Sequence, residues 1–182
     1  MKLHEYQAKR LLAGYGVPIP RGDLALSAGA ARAAAERLGQ TVVVKAQILV
    51  GGRGKAGGIV RAETPDQAAQ AAERLLGSSL KGELVQAVLV EPLADIAQEL
   101  YLGLTIDRQA RRIALIGSSQ GGVDIEETAR LHPEALHRAL LDPLLGLRPF
   151  HSARLARAMG LPRPLWSSLS AVADALYRVA RE

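Results

Sequence analysis

The sequence predicts an α+β protein built from two mixed α/β units. Three observations lead there. Short apolar stretches suited to strands alternate with alanine-rich amphipathic stretches suited to helices. Several of the helix-like stretches carry capping residues. Residues 23–95 also read as one unit inserted into a second, with the stretch KAQILVGGRGKAGGIVRAE at 45–63 joining two of its strands.

Taken in chain order, residues 4–13 follow a helical pattern with Tyr6, Leu11 and Leu12 inward and Gly14 or Gly16 as the stop. GVPIPRGD is a Pro/Gly-rich linker into a short strand at 23–26. Ser27 caps a helix through Leu38 that Gly39 closes. A strand follows at 41–49, then the glycines, then a strand at 58–62. Thr64 and Pro65 start a helix as N-cap and first residue, and Gly77 ends it. Residues 84–91 and 99–107 read as strands separated by PLADIAQ. A turn at 107–110 leads to a strand at 112–117. Beyond Gly121 and Gly122, helices are expected at 125–130, 133–141, 152–159 and 165–181.

Composition narrows the function. The 182 residues are 48% hydrophobic and 23% charged, the balance of a globular protein rather than a disordered one. Aromatics make up 3%, so the core must come from Leu, Val, Ile and Ala. With no cysteine, disulfides, thiolate metal sites and a cysteine nucleophile are excluded. No apolar run approaches the roughly 18 residues of a membrane span, and MKLHEYQAKRLL lacks the apolar core of a signal peptide. A cytoplasmic location with no membrane partner is expected. The net charge of +5 is spread over scattered arginines without a basic block, and base-stacking aromatics are scarce. That favours a solvated basic surface or an anionic small ligand over nucleic acid.

The glycine loop matches neither familiar phosphate cradle. A P-loop requires Ser or Thr after Gly-Lys and a glycine five residues before it; here Ala56 follows Gly54-Lys55, and Leu49 holds the earlier place. Gly52, Gly54 and Gly57 satisfy G-x-G-x-x-G, but no helix starts inside the loop as a dinucleotide fold requires. What remains is a glycine-rich connection between strands whose bare N–H groups can fold over an anion as a flap. On the preceding strand Val42, Val44, Ala46 and Ile48 share one face, with Lys45 and Gln47 on the other. An ammonium at Lys45, within an apolar run, calls for an anion opposite. Arg53 and Lys55 add cations at the flap tip. The plain alternatives are an exposed lysine on a half-wet strand and a hairpin without a ligand. In VEPLADIAQELYLG at 90–103, Glu91 and Glu99 bracket a connector between two strands. They are either solvated strand-end glutamates or acceptors for ribose hydroxyls beside a backbone that reads a purine.

LHEYQAKRLLAGYGVPIP, GGRGKAGG, EPLADIAQELYLG, GGVDIEE at 121–127 and LDP at 141–143 occur in one order. Together they resemble the β subunit of succinyl-CoA synthetase, the ADP-forming succinate–CoA ligase, with malate–CoA ligase a close relative. The resemblance runs over essentially the whole chain. It implies an ATP-grasp fold, in which two α+β subdomains hold nucleotide between them: residues 21–95 as the flap subdomain, 1–20 and 96–182 as the second. It implies that Lys45 binds phosphate and that Gly52, Arg53 and Gly54 cover the phosphates. Glu91 and Ala94 would line the adenine and ribose pocket, Ala94 through its backbone, and Glu99 would also touch the nucleotide. Pro20 resembles ATP-using rather than GTP-using members.

The implied reaction, in the tricarboxylic acid cycle, is reversible: ATP, succinate and CoA give succinyl-CoA, ADP and phosphate through an acyl phosphate and a phosphohistidine. The phosphohistidine belongs to a partner α subunit, so the histidines here take no chemistry and no catalytic residue is assigned. Lys45, Arg53, the loop amides and Mg²⁺ would share the neutralisation of the phosphates. In the family the Mg²⁺ ligands lie on a later E-I-N-P strand and aspartate. The chain is therefore expected to be truncated before the metal-binding strand and the C-terminal CoA-ligase domain, and inactive alone. A non-catalytic nucleotide-binding module is the alternative. Leu49 departs from the family's common histidine.

Overall fold

A computed structural model describes residues 2–182 as two compact units. The first comprises the chain up to Ala13 together with Pro18–Asp95. Its elements are α1 (Glu5–Gly14), β1 (Asp23–Ala25), α2 (Ala28–Leu38), β2 (Val42–Ala46), β3 (Ile59–Ala62), α3 (Pro65–Leu75), β4 (Ser79–Leu80), β5 (Glu83–Leu84) and β6 (Val88–Pro92). Four strands form an antiparallel sheet in the order β1-β6-β2-β3. The two helices after β1 and β3 form where their caps lie. Ser27 Oγ accepts from Ala30 N–H and Gly39 closes α2 at φ 63°. Thr64 Oγ1 accepts from Gln67 N–H, and Pro65 supplies the first residue of α3.

The sheet has two unlike faces. Val42, Val44 and Ala46 of β2 are buried with Val88 and Val90 of β6 in one cluster with Ala31, Ala34, Ala68, Ala71 and Ala72 of the helices. Small side chains let α2 and α3 pack closely on each other, which is how a chain so poor in aromatics fills this core. Period-2 alternation turns Val43, Lys45 and Glu91 to the opposite face.

The second unit comprises Gly14–Val17 and Ile96–Glu182. β7 (Tyr101–Asp107), β8 (Arg112–Ser118) and β9 (His137–Leu140) form an antiparallel sheet in that order, with α4 (Ile125–Leu131), α5 (Pro149–Ala158) and α6 (Trp166–Arg181). Leu115, Leu141, Leu155, Met159, Leu169 and Ala173 are buried together. Gly117 lets α5 approach β8: a Cβ there would lie 2.6 Å from Met159 Sδ. Trp166 donates from Nε1 to Leu161 O at 2.8 Å, and the Arg163 guanidinium covers its ring at 4.3 Å. Tyr15 lies under Arg178 and hydrogen-bonds Glu182.

Several elements differ from the sequence reading. Residues 133–141 form a 3₁₀ turn (Pro133–Ala135) and then β9, not a helix. His137–Leu140 pairs with Ala114–Gly117, and Ala139, opposite Leu115, is buried; sheet pairing overrides a helix-like apolar spacing. β6 begins at Val88, because Ser79–Leu84 makes an unforeseen hairpin whose central residues, Lys81 and Gly82, both have positive φ. β2 stops at Ala46, and Leu11 is exposed. Residues up to Ala13 and 18–20 pack with the first unit, where the sequence reading grouped 1–20 with the second; charge pairs from α1 to β2 and β6 account for this.

Because Ala71 is fully buried against the neighbouring helix, Ala71→Leu is expected to lower the unfolding free energy by about 1–3 kcal/mol, the usual effect of overpacking. Urea denaturation of the two proteins measures it.

Candidate phosphate-binding site

The charged face of the first sheet is built by register. Val43 stands opposite Glu91 and Lys45 opposite Leu89, so the Lys45 and Glu91 side chains are diagonal neighbours on one face. Lys45 Nζ lies 2.8 Å from Glu91 Oε2 and 3.3 Å from Glu5 Oε1. Lys9, one turn after Glu5 on α1, pairs with Glu5 Oε1 at 2.9 Å and with Glu91 Oε1. Arg53, from the glycine loop, pairs with Glu5 Oε2 and donates from Nη1 to Ala46 O at 2.8 Å. Three cations thus share two carboxylates. The side chain of Glu91 is only 3% exposed, so its charge depends on Lys45 and Lys9.

Titration follows from this arrangement. Burial alone would raise the pKa of Glu5. The hydrogen bond from Lys9 and the charges of Arg53, Lys45 and Lys9 together outweigh it and hold Glu5 at about 2 instead of its ordinary 4.5. Burial works to lower the pKa of Lys45, but the hydrogen bond to Glu91 and the charges of Glu5 and Glu91 raise it on balance. Both shifts favour the charged forms of Glu5 and Lys45 at neutral pH.

Local structure holds each part in place. Gln47 is 2% exposed; its Oε1 accepts from Tyr6 N–H at 3.1 Å, capping the first turn of α1, while Nε2 donates to Lys45 O at 3.1 Å. Gly22 sits against Glu91, where a Cβ would lie 2.6 Å from Cγ. In the loop, Gly58 N–H donates to Arg53 O at 2.8 Å and Gly57 N–H to Gly54 O at 3.1 Å, closing a tight turn. Gly52 and Gly57 take φ of 72° and 78°, values that favour glycine. Lys81 Nζ donates to Gly51 O at 2.8 Å and fastens the entry to the loop. A hollow of about 260 Å³ beside the cluster is lined by Tyr6, Lys9, Pro20, Gly22, Leu24 and Glu91 among others.

Of the residues singled out from sequence, the structure brings Lys45, Arg53 and Glu91 into one cluster. Gly52 and Gly54 flank Arg53 in the exposed loop. Ala94 lies in the exposed segment after β6. Glu99 belongs to the second unit, where its carbonyl accepts from Gly121 N–H at 2.9 Å. The anion that faces Lys45 is supplied by this chain itself. Sequence reasoning missed Glu5 and Lys9, whose i,i+4 spacing on an amphipathic helix was the available signal. Among the described residues no three His, Cys, Asp or Glu side chains are grouped to hold a metal ion, and Glu5 and Glu91 are both engaged by cations. No step is therefore assigned to Mg²⁺ held by this chain. Nor is any helix among the described residues long and apolar enough to cross a membrane.

A two-unit fold with antiparallel sheets and a cationic glycine loop over one of them defines a class. The family described as the ATP-grasp domain matches residues 2–182, and the chain belongs to that family. Within it, curated relatives include succinate–CoA ligase β subunits. The chain is 49% identical over 178 residues to the succinate–CoA ligase [GDP-forming] subunit beta of Thermus thermophilus, covering 98% of this chain and 47% of that protein. It is 49% identical over 189 residues to the succinate–CoA ligase [ADP-forming] subunit beta of Syntrophotalea carbinolica, covering 100% and 49%. The chain thus spans about half the length of the curated relatives it matches. Among solved structures, ACD1 of Ca. Korarchaeum cryptofilum in complex with coenzyme A superposes with a TM-score of 0.74 at 21% identity, over 100% of this chain and 80% of that one. ATP citrate lyase of Methanothrix soehngenii in complex with citrate and coenzyme A gives 0.73 at 19%, over 99% and 44%. These two show the shared fold. The resemblance and ATP-grasp fold expected from sequence both hold.

The depressed pKa of Glu5 has a direct consequence for stability. Its contribution is full above about pH 4.5 and is lost as pH falls toward about 2. Urea unfolding at a series of pH values should therefore show wild type losing stability more steeply over that window than Glu5→Gln, which has no carboxylate to protonate.

Proposed function

We propose that Lys45, Arg53 and the amides of 51–58 bind the phosphates of a nucleoside triphosphate, and that this chain is the nucleotide-binding part of the β subunit of an ADP-forming succinate–CoA ligase. The observation that carries the first statement is that a strand-borne ammonium and a loop-borne guanidinium meet on one carboxylate, Glu5. Two cations from separate elements that can share one anion can share a phosphate. The names of the curated relatives support the second statement.

In this reading the chain works with an α subunit that carries the phosphohistidine, and succinate and CoA are handled by the complex. The task of these residues is to neutralise the phosphate tail and hold it in line for transfer. Mg²⁺ accompanies the nucleotide, and supplies further neutralisation when bound. Glu91, Ala94 and Glu99 are proposed to contact the nucleotide, and Gly52 and Gly54 to let the loop backbone approach it. ATP is the proposed nucleotide, in line with Pro20, and the cytoplasm the proposed location.

Calorimetric titration of ATP with Mg²⁺ against wild type, Lys45→Ala and Arg53→Ala tests the site. Each variant is expected to bind about 10- to 100-fold more weakly, the effect of losing a charge-assisted hydrogen bond of roughly 1.5–3 kcal/mol. Equal affinities would remove the phosphate reading, and tighter binding of GTP than ATP would overturn the base assignment. Phosphohistidine formed on an added α subunit from labelled ATP tests the ligase assignment.

A further inference from the structure

We infer that Glu5 is a positioning residue that stands in for phosphate while the site is empty: its carboxylate holds Arg53 and Lys45 together and is exchanged for a ligand phosphate when nucleotide binds. This rests on the reading of Lys45 and Arg53 as phosphate-binding groups. Glu5 divides its oxygens: Oε1 faces Lys45 at 3.3 Å and Lys9 at 2.9 Å, and Oε2 takes Arg53. Among the described residues the ion pairs of this cluster join Glu5 and Glu91 to Lys9, Lys45 and Arg53, so the exchange can be followed group by group.

The two carboxylates are not equivalent. Glu91 sits in the sheet, 3% exposed, and holds Lys45 and Lys9 whether or not Glu5 is present. Glu5 sits in the first turn of a helix, 19% exposed, and is the sole carboxylate on Arg53 among the described residues. Without Glu5, Lys45 keeps a carboxylate, whereas Arg53 keeps the carbonyl of Ala46 and no carboxylate among the described residues. The loop's guanidinium is therefore what Glu5 restrains. Glu5 also has somewhere to go. Lys9, at i,i+4 on the same helix, can retain it after Lys45 and Arg53 turn to a phosphate. A phosphate offers more charge and more oxygens than the carboxylate it replaces, so the exchange runs in its favour. The tie holds the loop near its loaded position and competes with the ligand for the same two cations.

Wild type, Glu5→Gln and Glu5→Asp discriminate these effects. With ATP and Mg²⁺ in calorimetry, Glu5→Gln is expected to bind about threefold to tenfold more tightly, since a competing charge pair is gone, and with a steeper dependence on salt. Glu5→Asp, which keeps the charge, should stay near wild type. Hydrogen exchange at 53–58 should be faster in nucleotide-free Glu5→Gln than in nucleotide-free wild type, and equal once both are saturated with ATP. In wild type alone, ATP should slow exchange in the loop while speeding it in the first turn of α1, a readout that holds even where Glu5→Gln does not fold. Binding by wild type with unchanged or weaker affinity in Glu5→Gln, or slower exchange in α1 on adding ATP, would overturn the inference by itself. No ATP binding by wild type would overturn the reading of the site, and the inference with it.

Discussion

The carboxylate of Glu91 is the constraint around which the first unit is arranged. It sits at the end of a central strand, almost fully withdrawn from water, where an unpaired negative charge would be severely penalised. Two ammonium groups answer it, one from the neighbouring strand and one from a helix that precedes the sheet in sequence. The strand-borne group fixes where Lys45 must point. The helix-borne group draws the opening segment onto a sheet face that alternation had left polar. Gly22 yields the space that the Glu91 stem requires. Remove that charge and Lys9 loses its partner on the sheet, while Lys45 is left with Glu5 and the helix with the ties that Glu5 and Gln47 make.

This arrangement gives the sheet two distinct tasks. One face is sealed by alanines on two capped helices and supplies the hydrophobic free energy. The other carries ions, and the glycine loop reaches over toward it. The loop leaves β2 and returns to β3 under firm restraint: Ala46 N–H donates to Gly58 O, and Lys81 grips Gly51. Freedom is confined to the few residues between. A loop so anchored can bring backbone N–H groups to an anion without disturbing the core beneath it.

Much of this was legible in the chain. Ser27, Gly39, Thr64 and Pro65 marked helix ends because capping is a local matter between near neighbours. The alternation of Val42, Val44 and Ala46 with Lys45 placed the two sheet faces, and the residues after the loop ruled out the helix that other phosphate cradles need. What failed was long-range. Residues 137–140 carry a helix-compatible pattern and become a strand because a partner edge is available. The hairpin at 79–84 depends on Lys81 accepting a left-handed conformation, which its residue type does not advertise. Lys45 was read as needing an anion, which is right physically, but the nearest ones, Glu5 and Glu91, lie 40 and 46 positions away. No spacing rule reaches that far. Ala94 rests on resemblance, since it lies in an exposed segment, and Glu99 packs against Gly121 and Gly122 of its own unit, a contact that its strand-end position did not reveal.

The lone tryptophan has a practical corollary. Trp166 is fixed by its bond to Leu161 and by the stacked Arg163, entirely within the second unit. Intrinsic indole emission from this chain therefore watches one unit and is blind to the other. A melt followed by that fluorescence would report the three-stranded sheet and its helices, while the sheet that carries the ion cluster could loosen unseen.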